Sequence, residues 1–146
     1  MVKERSGADS LPYAGELAAL GLNLLQQQKW ADAEPVLREC LALREKQQPD
    51  DWRTFNTQSL LGAALLGQKK YADAELQLLK GYAGMKQREK TIPNVSQTAT
   101  RLPDALDRLV ELTTATNKPD EAKKWRAERA KYPLPREVAP PPREKK

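Results

Sequence analysis

Two stretches decide the fold: LGLNLLQQQKWADAEPVL at residues 20–37 and LGAALLGQKKYADAELQL at residues 61–78. They lie 41 positions apart, and eleven of the eighteen aligned positions are identical, with Trp30 opposite Tyr71. A weaker third copy follows 48 positions later, where Asp-Glu-Ala at 120–122 lies opposite Ala-Asp-Ala at 72–74. Self-similarity at such a period is typical of repeat proteins. The 146-residue chain is therefore predicted to contain three similar units.

Each copy has apolar residues at helical spacing on both sides of a short polar break. Each unit is therefore predicted to be a helix hairpin. Ser10 is expected to cap the first helix, Asp50 or Asp51 the third, and Asn117 to end the fifth. Residues 91–94 are predicted to be a linker. No strand signal competes, so the predicted fold class is all-α, with about six helices.

Some positions recur between the copies and are interpreted as the structural signature of the repeat. They are Leu20, Gly21, Trp30 and Ala33 in the first copy, Leu61, Gly62, Tyr71 and Ala74 in the second, and Ala122 in the third. A glycine inside a helix costs about 1 kcal/mol relative to alanine. Gly21 and Gly62 are therefore expected where two helices approach closely, beside the small Ala33 and Ala74. The aromatic that begins each second helix is expected to wedge between neighbouring repeats.

The order Leu-Gly, Leu, aromatic, Ala-x-Ala-Glu resembles the tetratricopeptide repeat of the kinesin-light-chain type over about residues 11–131. This resemblance implies a right-handed solenoid, an array of antiparallel helix hairpins. Stretches such as WADAEPVLRECLALREK (30–46) and GYAGMKQREKTIP (81–93) are also similar to the C-terminal repeat region of planctomycete serine/threonine protein kinases. That likeness implies a kinase context and not kinase activity, since the sequence has no kinase motifs.

The chain is predicted to divide into three segments. Residues 1–9 are predicted to be a flexible N-terminus. Residues 10–132 are predicted to form the tetratricopeptide domain, with repeats at about 10–49, 50–90 and 100–132. Residues 133–146 are rich in proline and are predicted to be a disordered tail; the alternative is a ligand for a proline-recognising domain.

The composition excludes several classes of chemistry. The chain has no histidine and a single cysteine, Cys40, so Ser-His and Cys-His nucleophile pairs and an internal disulfide are excluded. Cys40 is expected to be a small buried thiol. No catalytic residue, metal or cofactor is predicted, and the protein is predicted not to be an enzyme. One unpaired cysteine, no export signal and no membrane segment fit a cytoplasmic location.

By the same resemblance, the first helices of the hairpins line a concave groove that binds a peptide. The implied positions are Ala18, Leu22, Leu25 and Gln26, then Asn56, Ser59, Ala63 and Leu66, then Asp104, Asp107, Glu111 and Thr114. Such a groove is apolar at one end, carries amides and hydroxyls in the middle and is acidic at the other end. It favours a peptide with an apolar end and a basic end. The predicted function is a protein–protein interaction scaffold or adaptor.

Two alternatives stay open. The net charge is +5, and the densest basic stretch runs from Lys118 to Lys131. This stretch would contact phosphates if the protein bound nucleic acid, although a solvated helix face is the simpler interpretation. Leu22, Leu25 and the ends of a short array would also expose apolar surface for homo-oligomerisation, for instance as a homodimer.

Overall fold

The computed structural model describes residues 10–94 and 100–132, and within these ranges the chain forms six α-helices and no strand. The helices are α1 (Leu11–Gln26), α2 (Trp30–Gln47), α3 (Trp52–Gly67), α4 (Tyr71–Gln87), α5 (Arg101–Ala115) and α6 (Pro119–Arg129). The predicted all-α fold is confirmed. A 3-10 turn, Glu89–Thr91, overlaps the start of the predicted linker. The predicted flexible N-terminus and proline-rich tail lie outside the described residues.

Two predicted helix caps are confirmed. The Ser10 hydroxyl accepts a hydrogen bond from a backbone N–H of the first turn of α1 at 3.1 Å. The Asp51 carboxylate does the same at the start of α3 at 2.8 Å. Each bond satisfies a backbone donor that the helix itself leaves without a partner. Asp50, the alternative cap, instead forms an ion pair with Arg88 at 3.4 Å.

The three hairpin turns share one backbone geometry. Gln28, Lys69 and Asn117 have φ angles of 60°, 63° and 58°, in the left-handed region. In every turn the next residue is a lysine, whose N–H donates to the carbonyl five residues back at 2.8–2.9 Å. The predicted role of Asn117 at the end of α5 is confirmed. The three positions are 41 and 48 residues apart, so all three hairpins share the register of the sequence copies.

Successive helices pack against one another along the chain, and the first helices of neighbouring hairpins also touch, α1 with α3 and α3 with α5. Helix α3 is therefore the centre of the array and is buried on several sides. One large apolar cluster runs through all three hairpins, and a smaller one fills the space between the N-terminal part of α1 and the C-terminal part of α2.

Gly21 and Gly62 lie where two helices of a hairpin approach closely, as predicted, and the atoms nearest to them belong to leucines of the second helix. A Cβ atom on Gly21 would collide with the side chain of Leu37, and one on Gly62 would lie 2.5 Å from Leu78 Cδ2. The leucine one turn beyond Ala33 or Ala74 therefore fills the space above each glycine. Ala33 and Ala74 are themselves fully buried.

The aromatic at the start of α2 packs across the first junction, as predicted. The Trp30 ring lies directly against Gly67 at the end of α3 and leaves no room there for a Cβ atom. At the second junction the rings of Tyr82 and Trp125 meet edge to face, with centroids 5.5 Å apart. Tyr71 packs against the large apolar cluster, and its place between the repeats stays a prediction. Pro119 occupies the position of Trp30 and Tyr71 in the third hairpin.

An ion pair joins neighbouring hairpins at each junction. Glu34, in the first turns of α2, accepts hydrogen bonds from Gln68 Nε2 at 2.8 Å, Lys70 Nζ at 3.1 Å and Arg38 Nε at 2.8 Å. The bond from Gln68, followed by that from Arg38, lowers the pKa of the Glu34 carboxyl to about 2. Glu75, the same position in the second hairpin, has a single ion pair, with Lys118 at 3.2 Å.

The predicted burial of Cys40 is confirmed. Its Sγ lies 3.3 Å from the Ala14 carbonyl oxygen and 3.9 Å from the Thr57 hydroxyl, and the residue is fully buried. Burial raises the pKa of the thiol. The group therefore lacks the thiolate character that a reactive cysteine needs.

Candidate functional site

A hollow of about 320 Å³ opens on the face where the three first helices meet. It is lined from α1 by Leu22, Leu25 and Gln26, from α3 by Ala63, Leu66 and Gly67, and from α5 by Asp104, Arg108 and Glu111, with Trp30 from the start of α2. The side formed by α1 and α3 is mainly apolar, whereas the side formed by α5 is charged. The hollow is therefore amphipathic from one end of the array to the other.

Several predicted groove residues lie in this hollow. From the predicted set, these are Leu22, Leu25, Gln26, Ala63, Leu66, Asp104 and Glu111. They come from three helices separated by up to 89 positions in the chain. The shared repeat register is what brings them to one face.

Five other predicted groove residues do not line the hollow: Ala18, Asn56, Ser59, Asp107 and Thr114. Asn56 and Ser59 are buried because α3 has neighbours on both sides. The Asp107 carboxylate accepts a hydrogen bond from Arg129 Nε of α6 at 2.9 Å, which ties the two helices of the third hairpin together. Ala18 is half-buried outside the hollow, against the smaller apolar cluster. Thr114 is exposed and accepts a hydrogen bond from Arg126.

Arg108 is a functional candidate that the sequence interpretation missed. Arg108 lines the hollow, and its guanidinium donates a hydrogen bond to Ser59 Oγ at 2.9 Å. Burial lowers its pKa, with Asp104 opposing that shift, yet an arginine stays protonated at neutral pH. Among the described residues, no carboxylate lies within ion-pair distance of it. A sequence signal existed: positions 104, 108 and 111 share one helix face.

Residues 17–46 match the tetratricopeptide repeat family. The matched segment runs from the middle of α1 to the end of α2, so it covers most of the first hairpin. This match supports the classification of the chain as a tetratricopeptide repeat protein. Tetratricopeptide repeats in general form scaffolds for protein–protein interaction. No curated protein matches the chain.

The basic stretch of the third hairpin is largely engaged within the molecule. Three of its six cations form ion pairs: Lys118 with Glu75, Arg129 with Asp107, and Lys131 with Glu128. A fourth, Arg126, donates to Thr114. This leaves fewer cations for phosphate contacts than the sequence alone indicates.

Residues 10–94 and 100–132 contain no group of three or more cysteine and carboxylate side chains placed to hold a metal ion. None of the helices in these ranges has the length and apolar character needed to cross a membrane.

Proposed function

We propose that this protein binds a segment of a partner protein in the hollow between α1, α3 and α5. The observation that carries this proposal is the continuity of the hollow across all three hairpins, with an apolar side and a charged side. A concave site with apolar lining and a few convergent polar groups is the usual form of a binding site. The proposal involves no covalent chemistry and assigns no catalytic residue.

The lining defines the chemistry of the ligand. Leu22, Leu25 and Leu66 would cover an apolar side chain, with each buried methylene contributing about 0.8 kcal/mol. On the opposite side, Asp104 and Glu111 would pair with a basic residue of the ligand. Because Arg108 already donates to Ser59, it would hold a backbone carbonyl or a carboxylate with its other N–H groups. The ligand is therefore a peptide with an apolar anchor and a basic flank.

The proposal is tested with a displayed peptide library selected on the full chain. We expect the selected peptides to contain a large apolar residue followed or preceded by lysine or arginine. Calorimetry should then show at least tenfold weaker binding to the variant Leu22→Glu, because a charge would enter the apolar side. Glu111→Gln should weaken binding about threefold, in a salt-dependent manner.

Leu79→Glu is the matched control, because Leu79 is an exposed leucine of α4 that does not line the hollow. It should leave the affinity unchanged. Equal affinity for the wild type and Leu22→Glu would contradict the proposal. Binding that falls by orders of magnitude with salt and is competed by nucleic acid would favour the phosphate-binding alternative.

A kinase context, as regulatory region of a serine/threonine kinase, stays a prediction that follows from the resemblance of residues 30–46 and 81–93 to kinase-associated repeats. A homodimer and a cytoplasmic location likewise stay predictions. The repeat boundaries near 10–49, 50–90 and 100–132 are proposed as the units of the domain, each containing one hairpin.

A further inference from the structure

The two ends of the array differ in what they expose. At the N-terminal end, Leu20 of α1 is 46% exposed. Its equivalents one and two repeats later, Leu61 and Leu109, are 0% exposed. Both of these have a preceding hairpin to pack against, whereas among the described residues Leu20 has none. The exposed leucine therefore marks the surface that a preceding hairpin would cover.

A second position on the same helix face shows the same difference in exposure between the repeats. Asn23 of α1 is exposed, while its equivalents Ala64 and Leu112 are buried. These residues lie one turn from the leucines on the same helix face. The surface around Leu20 thus has the backbone register of the two internal interfaces but no neighbour within the described ranges. We call the surface formed by Leu20, Asn23 and Lys29 the N-terminal face.

The charge on the N-terminal face also lacks its counterpart. At each internal junction a glutamate of one hairpin binds the turn lysine of the next, Glu34 to Lys70 and Glu75 to Lys118. The corresponding turn lysine of the first hairpin is Lys29, which is exposed. Among residues 10–94 and 100–132 it has no carboxylate partner. A hairpin placed before it would supply that carboxylate.

The third hairpin differs from the other two in the charge of its junction residue. The position of Glu34 and Glu75 is occupied in the third hairpin by Lys123, directly after the buried Ala122. The third hairpin therefore lacks the junction glutamate that the other two hairpins carry.

We propose that the N-terminal face is a docking surface for a helix hairpin of this repeat type that lies outside the described residues and carries a glutamate that pairs with Lys29. Lys123 disfavours docking of the C-terminal end of a second copy on that surface. Head-to-tail stacking of two copies would place Lys123 against Lys29, and a like-charge contact of this kind discriminates against the wrong partner. The docking hairpin therefore differs from the third hairpin at the position of Lys123.

The proposal is tested by reversing one charge at a time in the full chain and measuring sedimentation velocity over a range of protein concentrations. In Lys123→Glu, the third hairpin of each copy carries a glutamate that can pair with Lys29 of the next copy. We expect head-to-tail oligomers, with a self-association constant at least tenfold above that of the wild type. Lys29→Glu should associate in the same way, because the carboxylate introduced in the turn of one copy would then meet Lys123 of the next.

The double variant Lys29→Glu with Lys123→Glu should return to the wild-type mass, since like charges meet again. The matched control is Lys124→Glu, which changes the net charge equally at the neighbouring position and should not associate. Adding Leu20→Glu to Lys123→Glu should abolish the oligomers. Two outcomes would overturn the proposal: single reversals that sediment like the wild type, and a wild type that associates through Leu20 regardless of the charge at position 123.

Discussion

The first and second hairpins share eleven identical positions in their central stretch. They differ where their two helices cross, because the small and large side chains lie on opposite helices. In the first hairpin a small residue on the first helix, Ala14, faces Cys40 and Leu43. In the second hairpin the equivalents are a large residue, Phe55, facing Gly81 and Gly84. The two crossings teach that the repeat keeps one large side chain at this contact, on the second helix in the first hairpin and on the first helix in the second hairpin, and not the residue types.

The largest expected effect comes from introducing one residue of the first hairpin's helix contact at the equivalent position of the second hairpin. Gly84→Leu places the first hairpin's residue beneath the Phe55 ring, where there is no room for even a Cβ atom. We expect a loss of about 3 kcal/mol in the free energy of unfolding, measured by urea denaturation. Adding Phe55→Ala, which supplies the small first-helix residue that the first hairpin has at this position, should recover at least half of that loss.

The control for this double-mutant cycle is Gly81→Ala. A Cβ atom there would lie 2.7 Å from the Ser59 backbone nitrogen and 2.8 Å from the Phe55 carbonyl oxygen. Because the collision is with backbone, we expect a loss of about 2 kcal/mol that Phe55→Ala does not relieve. Additive losses for Gly84→Leu and Phe55→Ala would show that the size exchange is not the reason for the glycines.

A smaller difference is expected at the glutamates of the two junctions. The Glu34 side chain is 15% exposed and has three donors, whereas that of Glu75 is 36% exposed and has one. The folded-state pKa of Glu34 is about 2, below its ordinary value of 4.5. Its contribution is therefore present above about pH 4.5 and is lost as the pH falls towards 2.

Glu34→Gln should lower the free energy of unfolding by about 2 kcal/mol at neutral pH, with the difference from the wild type shrinking between about pH 4.5 and pH 2. Glu75→Gln should cost less than about 1 kcal/mol. The measurement is urea denaturation across this pH range. A constant difference for Glu34→Gln at every pH would contradict the assigned role of its carboxylate.

The smallest effect, and one that should be equal in both hairpins, concerns the turns. Gln28 and Lys69 hold left-handed conformations that glycine adopts without a steric penalty. Gln28→Gly and Lys69→Gly should each raise the free energy of unfolding by about 0.5–1 kcal/mol in urea denaturation. Gln27→Gly is the control, since Gln27 has a φ of -86° and should lose stability. Unequal gains would mean that the two turns are strained to different extents.

The sequence predicts the helices well because capping and apolar spacing are local properties. It predicts the groove less well because burial depends on neighbours. The helix face of Asn56 and Ser59 predicts a place in the groove, but α3 lies between two other first helices, which bury them. The glycines indicate a close contact without revealing that leucines of the partner helices make it. Arg108 shares the helix face of its acidic neighbours, yet its burial against Ser59 depends on how α5 packs on α3.

The buried thiol of Cys40 has a consequence for measurement. Its Sγ is held between Ala14 and Thr57, so an alkylating reagent can reach it only when these contacts open. In a linear array each unit contacts only its neighbours, and within the described residues the first hairpin has a single neighbour. The alkylation rate of the wild-type chain therefore reports the openings that expose Cys40, which are separation of α2 from α1, separation of the first hairpin from α3, and global unfolding. Comparing the free energy of opening obtained from that rate with the free energy of global unfolding would measure how independently the first hairpin opens.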